Sequence, residues 1–260
     1  MDSEYTFEEL VAIMARLRAP DGCPWDREQT HETLKSYLIE ESHEVLDAID
    51  DGSDSGLCEE LGDVLLQIVF HGQIAEEEGR FSTSDIVNTL SRKLVRRHPH
   101  VFGDVEVSGS AEVLANWESI KSEEKKDSGE DPSVLDGVPR SLPGLLRAQR
   151  TQEKAAKVGF EWSDQDEVNG KLKEEVEEFL DVLRSEDRAR QEEELGDILF
   201  SIVNVARFLG LQPEEALKKT VEKFTTRFGY IEKELRKCGK DPQGASIEEM
   251  DALWEESKNR

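Results

Sequence analysis

An internal repeat constrains this chain more than any other feature. Glu40-Glu41-Ser42-His43-Glu44, followed by Glu60-Leu61-Gly62-Asp63, returns as Glu174-Glu175-Val176-Glu177-Glu178 followed by Glu194-Leu195-Gly196-Asp197. The offset is 134 residues for each of Glu41, Glu44, Glu60 and Asp63. Rarer landmarks keep the same order at nearby offsets: Gly22-Cys23-Pro24-Trp25 with Gly159-Phe160-Glu161-Trp162, Lys93 and Arg97 with Lys223 and Arg227, Trp117 and Lys121 with Trp254 and Lys258. Two copies of one unit follow, so any fold and any site must be realisable twice. The stretch between the copies is rich first in Lys and Glu, then in Asp, Ser, Gly and Pro, the composition of a linker. The expected organisation is an N-terminal domain over residues 1–121, a linker over 122–143 and a C-terminal domain over 144–260.

Within each copy the apolar residues recur at helical spacing. Leu34, Tyr37, Leu38, Val45, Ala48 and Ile49 share one face, Asp50 to Gly56 breaks the pattern, and Leu57, Leu61, Val64, Leu65 and Ile68 form a second stripe. Val168, Leu172, Phe179, Val182 and Leu183 repeat the first stripe, and Leu195, Ile198, Leu199 and Ile202 the second, across a turn near Ser185 to Arg188. Further helices are predicted over Thr83 to Arg97, Ser110 to Lys126, Pro213 to Arg236 and Ile247 to Lys258. Hydrophobic residues make up 36% of the chain and charged ones 35%, which suits thin layers of amphipathic helices better than a parallel sheet buried on both faces. With no alternating strand pairs, the predicted fold class is all-α.

Composition also excludes functions. Fifty-nine Asp plus Glu against 33 Lys plus Arg leave a formal charge of −26, which argues against a nucleic-acid binder whose affinity rests on cations. The longest apolar stretch, Val64 to Phe70, is too short to span a bilayer, and Met1 to Leu10 lacks the layout of a secretory signal. Cys23, Cys58 and Cys238 are odd in number and scattered, so they fit neither a disulfide framework nor a thiolate zinc site, and a cytoplasmic location is expected. All five histidines lie in the first half, so chemistry common to both halves does not rest on imidazole.

The carboxylates carry the sharpest local signal. At about 100° per residue, Glu41 falls in the middle of the first apolar stripe and Glu44 at its edge, and Glu175 and Glu178 take the same places. A carboxylate there loses hydration and has to be paired, protonated or bound to metal. Glu60 with Asp63, and Glu194 with Asp197, project from one side of the next helix at a spacing of three. Closing the short turn sets the two pairs face to face, with no His or Cys among them. Such an all-oxygen donor set suits Mg²⁺, with Mn²⁺ as a substitute, rather than zinc. An isolated string of this kind is more often solvated helix surface, but duplication at identical spacing favours a site.

Cations near these acids would be needed for an anionic ligand. Lys223 and Arg227 stand one turn apart, as do Lys93 and Arg97 with Arg96 beside them; ion pairing with the many acids is the competing role. Trp117 with Lys121, and Trp254 with Lys258, pair an indole with an ammonium, suited either to stacking on a planar ring or to core packing. Asn204 is a polar residue in the apolar run Ile202 to Val205, where the first copy has Phe70. It is read as a ligand contact or as a partner for a buried backbone group.

The pattern E-E-x-x-E, fifteen residues, E-x-x-D resembles the signature of the MazG family of all-α nucleoside triphosphate pyrophosphohydrolases. Cys23-Pro24-Trp25-Asp26, Glu60 to Gln67, Lys93 to Phe102 and Asn116-Trp117 extend the likeness in the first half. Glu194 to Phe200, Val203-Asn204, Lys223-Phe224 and Arg227-Phe228 extend it in the second. It covers nearly the whole chain apart from the linker. The resemblance implies Mg²⁺-dependent hydrolysis of NTPs or dNTPs to NMP and pyrophosphate, broad in base, and a homodimer in which each domain contributes to a four-helix bundle. It implies Glu175, Glu178, Glu194 and Asp197 as catalytic metal ligands, and Glu41, Glu44, Glu60 and Asp63 as their N-terminal counterparts. Lys223, Arg227, Trp254, Lys258, Asn204, Lys93, Arg97 and Trp117 become substrate-binding candidates. The C-terminal half is expected to carry most activity. Two alternatives stand: a dNTP pyrophosphatase of narrow specificity, and a helical module that senses nucleotide without turnover.

Overall fold

A computed structural model describes residues 4–127 and 133–258. The chain divides into two compact units, Met1–Glu130 and Asp131–Arg260, and every regular element among the described residues is a helix.

The N-terminal unit opens with α1 (Phe7–Arg18), fixed by a capping box: Thr6 Oγ1 accepts from the Glu9 N–H at 3.2 Å and the Glu9 carboxylate accepts from the Thr6 N–H at 2.8 Å. A short α2 (Pro24–Glu28) leads to α3 (Lys35–Asp50) and α4 (Asp54–Glu77). Between these two, the predicted helix breaker is a tight turn. Gly52 sits at φ +65, and Ser53 Oγ accepts from the Gly56 N–H at 3.1 Å to start α4. So short a turn makes the two helices neighbours.

Helix α4 packs against α3, α1 and α5 (Thr83–Arg97); α6 (Pro99–Phe102) and α7 (Ser110–Asp127) follow, with α7 against α5. Gly72 lets α4 and α5 approach, since a Cβ there would stand 2.3 Å from Thr83 Oγ1 and 3.2 Å from Thr83 Cα. The core is Met14, Leu34, Val69, Phe70 and Ile74, with Leu10, Val11, Leu65 and Leu66 packed on it.

The C-terminal unit repeats the plan with α8 (Gly144–Lys157), α9 (Gln165–Val182), α10 (Arg188–Phe208), α11 (Pro213–Lys237) and α12 (Ile247–Ser257). Helices α9 and α10 form the most extensive pair, α8 packs on α10 and α11, and α12 packs on α11. Asp164 and Asp187 cap α9 and α10 through their side chains. Val168, Val182, Val203, Ile231 and Leu235 are buried.

The eight predicted helices are present, α3 to α5 and α7 in the first unit and α9 to α12 in the second. Helix α7 continues to Asp127, so the expected joint begins as helix; residues 128–132 lie outside the described residues. The apolar stripes are only half used. Leu34 and Ala48 are buried, but Tyr37, Leu38, Ile49, Leu61 and Ile68 stay exposed, as do Leu180, Leu183, Leu195 and Leu199 in the second unit. Each helix pair therefore presents an apolar face that its own unit does not cover. No helix of the described residues is long and apolar enough to cross a membrane.

Candidate active site

The local sequence brings the acids together through two helices and one turn. In the C-terminal unit, Glu175 comes from the middle of α9 and Glu194 and Asp197 from α10; each offers a carboxylate oxygen, all within 4.8 Å of one another. Glu175 is 6% and Glu194 9% exposed, whereas Asp197 is open to solvent. In the N-terminal unit Glu41 of α3 joins Glu60 and Asp63 of α4 within the same limit. A helix pair packed on an acidic stripe has to place these groups in contact, because spacings of three and four return to the same side.

The fourth acid, Glu44 in the first unit and Glu178 in the second, is exposed and lies outside the three-oxygen group in both. In the first unit it acts on its neighbours, helping to raise the carboxyls of Glu41 and Glu60 above their usual value.

The two clusters also differ in charge. Lys171 Nζ lies 2.7 Å from Glu175 and 2.9 Å from Glu174, and Arg190 Nε lies 3.6 Å from Glu194. Hydrogen bonds to Glu175 and Glu174 hold the Lys171 ammonium well above the ordinary lysine range. Tyr37 and Gly56 occupy the corresponding places in the first unit, so no such cation is available there. Burial, then the hydrogen bond with Glu44 and repulsion from Asp63, push the Glu41 carboxyl above its usual value. Burial followed by repulsion from Glu44 does the same for Glu60. Three oxygen donors from carboxylates, with neither thiolate nor imidazole, fit a hard divalent cation in either unit.

The C-terminal cluster opens on a cavity. Its volume is about 410 Å³, and Lys171, Glu175 and Asp197 stand on the same wall system as Phe160, Trp162, Phe200, Asn204 and Arg207. Arg207 is clamped by Glu161, its two terminal nitrogens donating at 2.5 and 2.7 Å, and also donates to Asn204 Oδ1 at 2.7 Å. The matching position to Asn204 in the first unit is Phe70, which is 3% exposed and packed into the core with Met14. Arg18 lies over its ring at 5.4 Å. That space is filled.

The remaining sequence candidates form separate groups. Lys223, Arg227, Trp254 and Lys258 do not line the cavity. Arg227 sits over the Trp254 ring at 5.5 Å, Phe224 packs on the same indole at 5.3 Å, and Lys258 is paired with Glu255. In the first unit Arg96 and Arg97 both bind Glu124, at 2.6 Å each, and Trp117 meets His98 edge-on at 4.8 Å; Lys93 is exposed. For Arg97, ion pairing within the unit is the role seen.

Residue spacing does not single out Lys171, Phe160, Glu161, Trp162, Phe200 and Arg207, which line the cavity. The Gly159 to Trp162 landmark was visible as a repeat, and Arg207 lies one turn beyond Asn204, but nothing in the spacing shows that a loop and a helix meet there.

A family model for the MazG nucleotide pyrophosphohydrolase domain matches twice, over residues 29–102 and 165–230, the segments that hold the two clusters. The chain is 48% identical over 252 residues to the nucleoside triphosphate pyrophosphohydrolase/pyrophosphatase MazG of Thermotoga maritima, covering 97% of this chain and 95% of that protein. It is 47% identical over 256 residues to the nucleoside triphosphate pyrophosphohydrolase of Escherichia coli K12, covering 97% of each. An uncharacterized Bacillus subtilis protein is 49% identical over 255 residues, matched over 52% of its own length. With two domain matches in register with two carboxylate clusters, the chain belongs to the MazG family.

Proposed function

We propose that this protein hydrolyses nucleoside triphosphates between the α- and β-phosphates, giving NMP and pyrophosphate, and that its C-terminal unit is the working centre. The observation that carries this is the group of three carboxylate oxygens within 4.8 Å, two of whose residues, Glu175 and Asp197, line a nucleotide-sized cavity. The similarity to proteins named for this activity supports the same reading.

Glu175, Glu194 and Asp197 would hold the divalent cation, Mg²⁺ with Mn²⁺ as substitute. When bound, it supplies charge neutralisation for the polyphosphate and acidifies the attacking water. Glu178, exposed one turn beyond Glu175, is left to orient that water or take its proton. Lys171 is positioned to meet phosphate oxygens once a cation competes for Glu175. Lys223, Arg227, Trp254 and Lys258 are assigned to the triphosphate and sugar, with Asn204 on the base side. Glu41, Glu44, Glu60 and Asp63 form a second cation site, with Lys93, Arg97 and Trp117 as the counterparts of the substrate group; the filled space at Phe70 leaves that unit without a base cavity.

The uncovered stripes of α3–α4 and α9–α10 support the reading of a homodimer, in which a second copy would complete four-helix bundles. The domains are assigned as residues 1–121 and 144–260, and the site of action as the cytoplasm, with nucleotides and no nucleic acid as partners. Incubating the full chain with common NTPs and dNTPs in Mg²⁺ tests the proposal. NMP with intact pyrophosphate supports it, and stepwise release of phosphate, or binding without turnover, overturns it. Glu175→Gln should abolish release while Glu41→Gln should not.

A further inference from the structure

Asn204 has a fixed orientation that a free asparagine lacks. A guanidinium carries donors only, so the amide oxygen has to face Arg207, at 2.7 Å, and the NH₂ group has to face away. Arg207 cannot turn to relax this, because both its terminal nitrogens are engaged by Glu161. Among the described residues no protein acceptor meets the Asn204 NH₂, and Asn204 lines the cavity that begins at Glu175 and Asp197.

The carboxylate that holds Arg207 is fully engaged. Both oxygens of Glu161 are taken by Arg207, and one also accepts from the Trp162 N–H at 2.9 Å. Gln152 donates its amide nitrogen to the Phe200 carbonyl at 2.8 Å, and its oxygen is buried without a protein partner. Phe160 is 83% exposed and Trp162 40%, aromatic faces free to stack on a planar ring.

We propose, resting on the nucleotide reading of this site, that the cavity takes the nucleobase and that Asn204 selects bases with a carbonyl at pyrimidine C4 or purine C6 over those with an amine at that position. Uracil and hypoxanthine present an acceptor to the locked NH₂; cytosine and adenine set a donor against it. Arg207 and Glu161 are positioning residues, acting only by holding the Asn204 amide. The first unit cannot read bases in this way, since Phe70, Gln73 and Pro24 stand where Asn204, Arg207 and Glu161 would be.

The test uses pairs matched in ring size. kcat/KM for UTP over CTP and for ITP over ATP should each favour the carbonyl base by about fivefold, the scale of one neutral hydrogen bond. Asn204→Asp, which replaces the donor by an acceptor and keeps the Arg207 contact, should reverse both ratios. Arg207→Ala should bring them to about one by freeing the amide to flip; a merely structural Arg207 would lower all four rates alike and leave the ratios in place. Equilibrium dialysis of UMP, CMP, IMP and AMP repeats the comparison without turnover. Hydrolysis with ratios unmoved by Asn204→Asp overturns this inference and leaves the proposed function intact. Absent hydrolysis, with monophosphate selectivity that reverses in Asn204→Asp, overturns the function and leaves the base assignment. Absence of selectivity in both assays overturns the inference outright.

Discussion

Replacing Glu41 with Gln should stabilise the metal-free N-terminal unit, while the matching change Glu175→Gln should weaken the C-terminal one. Glu41, Glu60 and Asp63 hold oxygens within 4.8 Å, and among the described residues no cation pairs with them. Two unit charges at that distance repel by about 0.9 kcal/mol at the dielectric constant of water and about 3.5 kcal/mol at an effective value near 20. Glu41 and Asp63 are half-buried, so a relief of about 1 kcal/mol is expected, or about 4 °C in Tm for a unit of this size.

The sign depends on pH. Burial, with the Glu44 hydrogen bond and repulsion from Asp63, raises the folded-state pKa of Glu41 above 4.5, so the folded unit holds that proton more tightly than the unfolded chain does. Its electrostatic penalty is absent below 4.5 and sets in as pH rises through the folded value. The advantage of Glu41→Gln should therefore be full near neutrality and vanish in acid. At Glu175 the balance reverses, because Gln withdraws the charge that Lys171 faces at 2.7 Å, costing about 1 kcal/mol after allowance for solvent around the ammonium. Scanning calorimetry in chelator, at neutral and acid pH, reads both. A Tm for Glu41→Gln at or below that of the parent near neutrality would refute the electrostatic account.

Arg18→Ala should cost about 3 kcal/mol in urea denaturation, since its nearly buried guanidinium joins Glu77 at 2.8 Å to the carbonyls of Asp26 and Gln29. Hydrogen bonds from Arg18 hold Glu77 below its usual 4.5, so this stabilisation is present above that value and is lost as pH falls through the folded one; parent and variant should converge in acid. Glu194→Gln or Asp197→Asn should lower pyrophosphate release by about 100-fold or more, with monophosphate binding by dialysis unchanged. Ser246→Ala removes the capping box that starts α12 and should cost about 1 kcal/mol by thermal melting.

The helices on either side of the carboxylates were legible because their apolar residues keep helical spacing and their ends carry Gly52, Ser53, Asp164 and Asp187. Helix α1 is short, and its signals are limited to the Thr6–Glu9 capping box and the stripe of Leu10, Val11 and Met14. Helix α8 was harder, because it buries Gln149 and Gln152 where a stripe of aliphatic residues would have been visible. Of the site, Glu41, Glu60 and Asp63 with Glu175, Glu194 and Asp197 follow from spacing alone, since local geometry decides which side of a helix they share. The cavity did not. It depends on the loop at Phe160 to Trp162 meeting α10 at Asn204 and Arg207, a contact between segments some forty residues apart that no periodicity encodes.

Phe70 and Asn204 occupy matching positions, and their difference leaves one half of the duplication dense and the other hollow. With no core side chain to fill the space beside Asn204, the Glu161–Arg207 clamp acts as a strut for that wall. Trimming Phe70 to Asn would not excavate the first half to match. Met14 and the Arg18 guanidinium already stand against that ring, and they would close over the vacated space while stranding a new amide among hydrocarbons.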